Sequence, residues 1–517
     1  MGKKKNTLAA VIHLGSEMVS MQLIEYTDID KIKILEQTKQ KVHLGEEAFK
    51  NKKISFTTTL EICEILKGYK RLMGDYGITE YLLQATTAVR EMENQDFFMD
   101  QIYVKTGFKI DVVDMPREIF IKSVSLQRTL KKANASLYKS GILFVDISSG
   151  GLGITYVKNN TIKYQQNLHI GIIRIKEAFN RNQQASINFP EALTEYIASN
   201  VGPVQEYLAK EKIKYMVLTG AESEMILQMV NREANPKQIA HFSADDFTAF
   251  YNRVRKLNTK QIMQHYNLDE VQAEIVLPTT ILYQQLLTLT PVEDIIIPPD
   301  SFIDGMRVLY VARKVDPEFL EQIQNMRLSL VRSIGERYHY DANHAKSVEK
   351  FALAIFDALK ESQGLEAHAR HLLRAAALLH DIGKFVCLRS YAIYSYRLIT
   401  SVDIFGFSYL DKRIIAMVAY FQANNIAENE RIAPLQVERE LRPLVAKLSS
   451  ILRLADAMDR SYKQKIKSCK VQVKGNEMIV TAKSKEDLSL EEWVFAEKRA
   501  YFEEVFGLIP ILERAEG

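Results

Sequence analysis

Gly141-Ile142-Leu143-Phe144-Val145-Asp146-Ile147-Ser148-Ser149-Gly150-Gly151-Leu152-Gly153-Ile154-Thr155-Tyr156-Val157 decides the fold of this chain. An apolar run ends on an aspartate, small residues turn the chain, and a second apolar run returns. Asn159-Asn160 then turns it again into Thr161-Ile162-Lys163-Tyr164. Apolar runs bounded by Gly, Ser and Asn are strand-and-hairpin signals. The start of the chain is built the same way: Thr7 to Tyr26 reads as two strands around Leu14-Gly15-Ser16. Strand, glycine-containing turn and strand therefore occur twice, about a domain apart.

Helices and strands alternate between and after these units. Leu60, Ile62, Ile65, Leu66, Tyr69, Leu72 and Met73 carry helical spacing from Thr57 to Tyr76, ending at Gly74 and Gly77. Tyr81–Thr86 reads as a buried strand running into Thr87-Ala88-Val89-Arg90-Glu91, and Ile110–Val113 as another strand. A long helical stretch and the strand Tyr215–Gly220 complete the second unit, and Pro298-Pro299 marks a boundary. This alternation predicts an α/β class. From Pro317 to about Tyr462 the pattern is helical throughout. The tail alternates again in Cys469–Val473 and Met478–Ala482, a hairpin about Gly475-Asn476, and two helical stretches around Trp493 and Phe502 close it.

With 517 residues the chain is too long for one core. The spacing predicts domains at 1–130, 131–310 and 311–463, with a small α+β segment at 464–517. A hydrophobic content of 47% and a charged content of 26% are those of a soluble globular protein. The net charge of +4 is close to balance, so composition does not argue for nucleic acid, and a polyanion would need a local basic patch. Cys63, Cys387 and Cys469 are far apart and form no CxxC, which fits a reducing cytoplasm and argues against a disulfide or zinc scaffold. No apolar run is long enough to span a bilayer, and none reads as a signal peptide. His43, His169 and His241 are isolated and read as structural.

Three sets of residues carry chemistry. Thr86, Thr87 and Arg90 at a strand end can meet a phosphate, the guanidinium bidentately. Asp146, with the small-residue loop Ser148-Ser149-Gly150-Gly151 behind it, can hold Mg²⁺ through water while backbone N–H groups face phosphate. His380-Asp381 closes the apolar run Ala375–Leu379, and His344 and Asp456 lie on other helical stretches. Imidazole and carboxylate ligands in this set suit one divalent cation. The H…HD…D pattern resembles the HD superfamily, whose members are mostly metal-dependent phosphohydrolases.

The first 310 or so residues resemble the exopolyphosphatase/guanosine pentaphosphate phosphatase (Ppx/GppA) family. The landmarks are Leu14-Gly15-Ser16, Ala85–Glu91 with Asn94, Val145-Asp146-Ile147, Gly171, Val217–Gly220 and Asp304-Gly305. The helical half is similar to the HD-type domain of longer members. The resemblance implies duplicated actin-like ATPase (ribonuclease H-like) domains, then a helical HD domain and the small tail. It implies Glu118 as catalytic base, Asp146 as a Mg²⁺-positioning carboxylate and Arg90 as a phosphate clamp. Gly15, Ser16, Ser148, Ser149, Gly150 and Gly151 would form the phosphate loops. His344, His380, Asp381 and Asp456 would hold a single metal in the HD domain.

Several residues depart from the family pattern. An aspartate of the first loop is His13 and a basic residue is Ser20. The second loop lacks its Ser-Thr-Glu end, a carboxylate being replaced by Gly153. Later histidines of binuclear HD sites are Tyr391, Tyr394 and Phe421, and all 10 histidines lie at or before His380. The leading expectation is a cytoplasmic, homodimeric phosphatase releasing orthophosphate from polyphosphate ends, with pppGpp as a second substrate and a high Mg²⁺ requirement. The alternatives are a weakened sensor that binds polyphosphate or guanosine penta- or tetraphosphate, and a nucleotide phosphohydrolase acting through the HD half.

Overall fold

The two strand–turn–strand units become the cores of two sheets with matching pairing. The computed structural model describes residues 6–515, apart from 134–136, 138, 148–150, 185, 187, 232–234, 236–237 and 424–436. The first sheet holds β1 (Thr7–Leu14), β2 (Met18–Tyr26), β3 (Ile32–Lys41), β4 (Tyr81–Ala85) and β5 (Asp111–Val112), in the order β3-β2-β1-β4-β5. The second holds β6 (Ile142–Ile147), β7 (Leu152–Lys158), β8 (Thr161–Leu168), β9 (Tyr215–Thr219), β10 (Ala240–Ser243) and β11 (Asp294–Ile297), in the order β10-β11-β9-β6-β7-β8. β1 pairs antiparallel with β2 and parallel with β4; β6 pairs antiparallel with β7 and parallel with β9. β1 and β6 are thus equivalent central strands. Ala10, Ile12 and Leu14 are buried in one core, and Leu143, Val145 and Ile147 in the other.

Two helices matter for the site. Met115–Ala133 starts just after β5 and carries Glu118 and Lys122 one turn apart. Phe302–Val315 follows β11 and the Pro298-Pro299 break, then returns to pack on Met115–Ala133 and β1. Its start is a capping box, in which Asp304 accepts from the Ser301 N–H at 2.9 Å. Gly305 lies where the two helices cross: a β-carbon there would stand 1.9 Å from the Ile121 carbonyl oxygen. The Asp304-Gly305 landmark is therefore a helix cap and a crossing point.

By internal contacts the chain forms two compact units, 1–327 and 328–517. The described residues of the second unit are mostly helical through Ala457, as its periodicity predicts. It then forms β12 (Ser468–Lys474) and β13 (Glu477–Lys483) about Gly475, the expected hairpin. The tail departs from expectation after that. A single helix, Ser489–Phe506, contains both Trp493 and Phe502, and the chain closes with β14 (Ile509–Ala515), parallel to β13. Gly507, at a left-handed φ of 67°, ends that helix and turns the chain into β14. Among the described residues, no helix is long and apolar enough to cross a membrane.

Candidate functional site

The ends of β1, β4 and β6 and the first two turns of Met115–Ala133 converge. Glu118 is buried, and two cations hold it: Arg90 Nη1 at 3.1 Å and Lys122 Nζ at 3.3 Å. Arg90 is itself anchored, donating through Nη1 to the Val113 carbonyl at 2.7 Å and through Nη2 to Thr87 Oγ1 at 3.1 Å. It orients Glu118 as much as it offers a face to a phosphate. Lys122 continues to Asp146, donating to its two carboxylate oxygens at 3.1 and 3.2 Å. The Thr219 hydroxyl donates to Asp146 Oδ1 at 2.7 Å. Glu118, Arg90 and Asp146, expected from sequence, are thus joined through a lysine that was not. Its signal was present: four residues after Glu118 on one helix lies the same face.

The loops have mixed outcomes. The Leu14-Gly15-Ser16 turn is tied to the cluster through His13, whose Nε2 is 3.2 Å from Thr86 Oγ1. Gly15 N–H donates to the Met18 carbonyl at 3.0 Å, and the Ser16 carbonyl accepts from Gly45 N–H at 2.8 Å. Ser148, Ser149 and Gly150 lie outside the described residues. Gly151 lies against Met115, where a β-carbon would meet its Cε at 2.4 Å. Gly153 pairs across the sheet with Asp146, and a β-carbon there would stand 2.7 Å from Ile119 Cδ1. An apolar group therefore fills the place beside Asp146 where a second carboxylate was missing from the sequence.

The electrostatics follow from burial and from Lys122. Burial pushes Glu118 up, but Lys122 and Arg90 together outweigh it and hold the carboxyl below its ordinary value. Burial works against the Lys122 ammonium as well, and Asp146 and Glu118 overcome it, so the amine stays charged above its usual range. Burial lifts Asp146 in spite of Lys122 and Thr219. Glu222, on the first turn of the helix Ala221–Val230, is likewise raised by burial and feels both Lys122 and Asp146. His13 is pushed down to about 4 by burial and by Lys122, against the pull of Glu118.

Sequence reasoning placed Mg²⁺ at Asp146. The described residues do not fit it. Magnesium needs oxygens at about 2.0–2.1 Å in an octahedral shell. The nearest oxygens of Asp146 and Glu118 already surround an ammonium, and the neighbouring position 153 supplies no carboxylate.

The second unit brings together the other predicted quartet. His344, from Ala342–Leu359, and His380, at the end of Ala367–Leu379, turn their Nε2 atoms toward one point. Asp456 Oδ1 lies 3.4 Å from the first and 3.6 Å from the second. Asp381 lies 3.8 Å from His344 Nε2 and 3.5 Å from His380 Nε2. His344, His380 and Asp381 each bring a ligand atom within 4.8 Å of the others. Each histidine uses Nδ1 elsewhere: His344 donates to Asp459 Oδ2 at 3.0 Å and His380 to the Ala377 carbonyl at 2.9 Å. A neutral ring protonated at Nδ1 carries its lone pair on Nε2. Both Nε2 atoms are buried without a hydrogen-bond partner. Against the effect of burial, Asp456, Asp459 and Asp381 raise His344 to about 9, so without an ion a proton on its ring supplies the positive charge these carboxylates call for. A metal would supply that charge in the proton's place with both Nε2 lone pairs turned to it, so these residues fit a metal.

Asp381 Oδ2, the oxygen nearer His344, and the outer oxygen of Asp456 are held by residues the sequence reading missed. Tyr462 donates to Asp381 Oδ2 at 2.6 Å and Lys384 at 2.5 Å. Lys498, from the tail helix, donates to Asp456 Oδ2 at 2.5 Å. Partners on the outer side of ligating groups fix their orientation. Tyr391, at a position where a later histidine was sought, lies with its ring 5.1 Å below the Lys384 ammonium.

Comparison with known proteins covers both units. The model of the Ppx/GppA phosphatase family matches residues 23–312, and that of Ppx/GppA phosphatase domain III matches residues 326–497. A guanosine-5'-triphosphate,3'-diphosphate pyrophosphatase of Photobacterium profundum is 22% identical, with 84% of this chain and 85% of the relative aligned. A bifunctional 3-dehydroquinate synthase/phosphatase of Fusobacterium nucleatum is 23% identical over 55% of this chain, which spans 44% of that relative's length. The solved structure of the Aquifex aeolicus Ppx/GppA family member superposes with a TM-score of 0.52 at 16% identity, over 60% of this chain and 99% of that one. An exopolyphosphatase from Cytophaga hutchinsonii gives 0.51 at 17% identity, over 60% and 99%. At these identities the structures speak for the actin-like fold.

Proposed function

Since the chain belongs to the Ppx/GppA phosphatase family, we propose that it releases orthophosphate from the ends of inorganic polyphosphate, working from the cleft around Glu118. One observation carries the reading: a buried carboxylate kept ionised, with Arg90 at 3.1 Å and Lys122 at 3.3 Å. An ionised Glu118 accepts a proton from the attacking water. The water oxygen bonds to the terminal phosphorus, the bridging P–O bond breaks in line, and the shortened chain leaves with the bridging oxygen. Arg90 and Lys122 meet the charge on the phosphoryl oxygens, and the Val113 carbonyl keeps Arg90 in place. The same two cations make Glu118 a weak base, so turnover is slow.

The chemistry recognised is a terminal phosphoanhydride, which polyphosphate and pppGpp share. The test is orthophosphate release from each substrate, run beside equilibrium binding of polyphosphate. Release from polyphosphate above background, faster than from pppGpp, is expected. Tight binding with no release from either substrate overturns the catalytic reading in favour of a phosphate-chain receptor.

A second reading rests on the histidine–aspartate cluster. His344, His380, Asp381 and Asp456 would hold one divalent metal there, which when bound acts as a Lewis acid on a phosphoryl oxygen. Asp459, Tyr462, Lys384 and Lys498 orient those ligands. In that reading a nucleotide phosphate is hydrolysed in the second unit and Glu118 is dispensable.

A further inference from the structure

We propose that Lys122 is a permanent internal cation of the actin-like cleft, standing where the family resemblance puts a divalent ion and excluding one. The inference deepens the phosphatase reading and rests on its location of the site. Three carboxylate oxygens, two from Asp146 and one from Glu118, lie 3.1–3.3 Å from a single point, and that point is the ammonium nitrogen. The ammonium straddles the Asp146 carboxylate, as a bound cation does. Asp146 comes from the end of β6 and Glu118 from the helix after β5, so the lysine closes the gap between the two halves of the cluster.

Charge counting points the same way. Glu118 and Asp146 bring two negative charges, and Lys122 and Arg90 two positive ones. A divalent ion added to this set would meet a neutral cluster with its best ligands engaged. It would also lie beside the Lys122 charge, which in a buried setting repels strongly. His13 adds no carboxylate to the shell, and Ile119 fills the space a side chain at position 153 would use. Glu222, a further acid that feels Lys122 and Asp146, is favoured in its neutral form by burial, with Glu17 adding to the effect. Lys122 thus does for a terminal phosphoryl group what a metal does elsewhere: it places fixed positive charge beside the base.

The experiment counts bound Mn²⁺, used as the probe cation, by electron paramagnetic resonance on the full chain without substrate. The wild type and Asp146→Asn should bind the same number of equivalents. Lys122→Met frees the two carboxylates and should gain one equivalent, which Lys122→Met/Asp146→Asn should lose again. Loss of one equivalent in Asp146→Asn alone would overturn the proposal, as would a folded Lys122→Met that gains none. If Lys122→Met does not fold, the wild type against Asp146→Asn still decides. No substrate is present, so these counts are independent of whether polyphosphate is the substrate.

Discussion

His13 shows what one substitution does to the chemistry of a cleft. The family pattern has an aspartate there, and the imidazole instead lies against Thr86 and the ring of Phe302, with centroids 4.7 Å apart. Its pKa is lowered from 6.5 to about 4 by burial, helped by Lys122 and opposed by Glu118. The unfolded chain therefore binds a proton that the folded chain refuses between those two values. By linkage, this contribution to stability is intact above pH 6.5 and is lost as pH falls toward 4. His13→Gln removes the proton-binding group. In urea unfolding of the first unit, the wild type should lose on the order of 2 kcal/mol more than the variant between pH 7 and pH 4. Equal losses would place His13 in solvent. That His13 resists protonation follows from its half-buried packing against Thr86 and Phe302, which no motif announces, whereas its identity as a departure was plain from the loop. Lys122 was equally visible in the sequence but lay outside the loops and strand ends where phosphate residues were sought.

The element scale is where the sequence was most legible. The duplicated hairpins, the helix Phe56–Asp75 and the β12–β13 turn lie where periodicity and turn residues put them. The misses have a common cause. β11 is four residues long and β10 offers only Ala240–Ser243, too short for alternation to register. β14 contains Pro510 and pairs parallel with a strand some thirty residues earlier, so only the tertiary contact makes it a strand. Glycines sort in the same way by what surrounds them. At Gly305 a methyl group would meet the Ile121 carbonyl, and neither backbone can yield without parting the two helices. Gly305→Ala should destabilise the first unit by about 2–3 kcal/mol, as overpacking does. At Gly68, inside Phe56–Asp75, a β-carbon meets nothing within 4 Å. Gly68→Ala should stabilise by roughly 0.5–1 kcal/mol through helix propensity. Thermal unfolding of the pair checks both signs, and a neutral Gly305→Ala would mean the crossing is looser than described.

At the scale of the whole molecule, each unit carries a cluster of acids and cations, and the two clusters are built to opposite designs. In the first unit the inner carboxylate oxygens face an ammonium, and the cluster is complete without a metal. In the second Lys498 holds the outer oxygen of Asp456 and Lys384 one oxygen of Asp381, while two imidazole nitrogens, Asp456 Oδ1 and Asp381 Oδ1 face a common point. The quartet of the second cluster was readable from H…HD…D, because helical segments carry each ligand. The first was only half readable, because its loops had changed and its central cation came from a helix position with no motif attached. The family relationship spans both units, so the location of the chemistry is the question that matters most. It is answered by measuring orthophosphate release from polyphosphate for the wild type, Glu118→Gln and Asp381→Ala side by side. The amide of Glu118→Gln cannot take the proton from water, so its rate should fall at least about 100-fold, while Asp381→Ala stays within a few-fold of wild type. A Glu118→Gln rate equal to wild type, with release lost in Asp381→Ala, would contradict the account and move the catalytic site to the histidine–aspartate cluster.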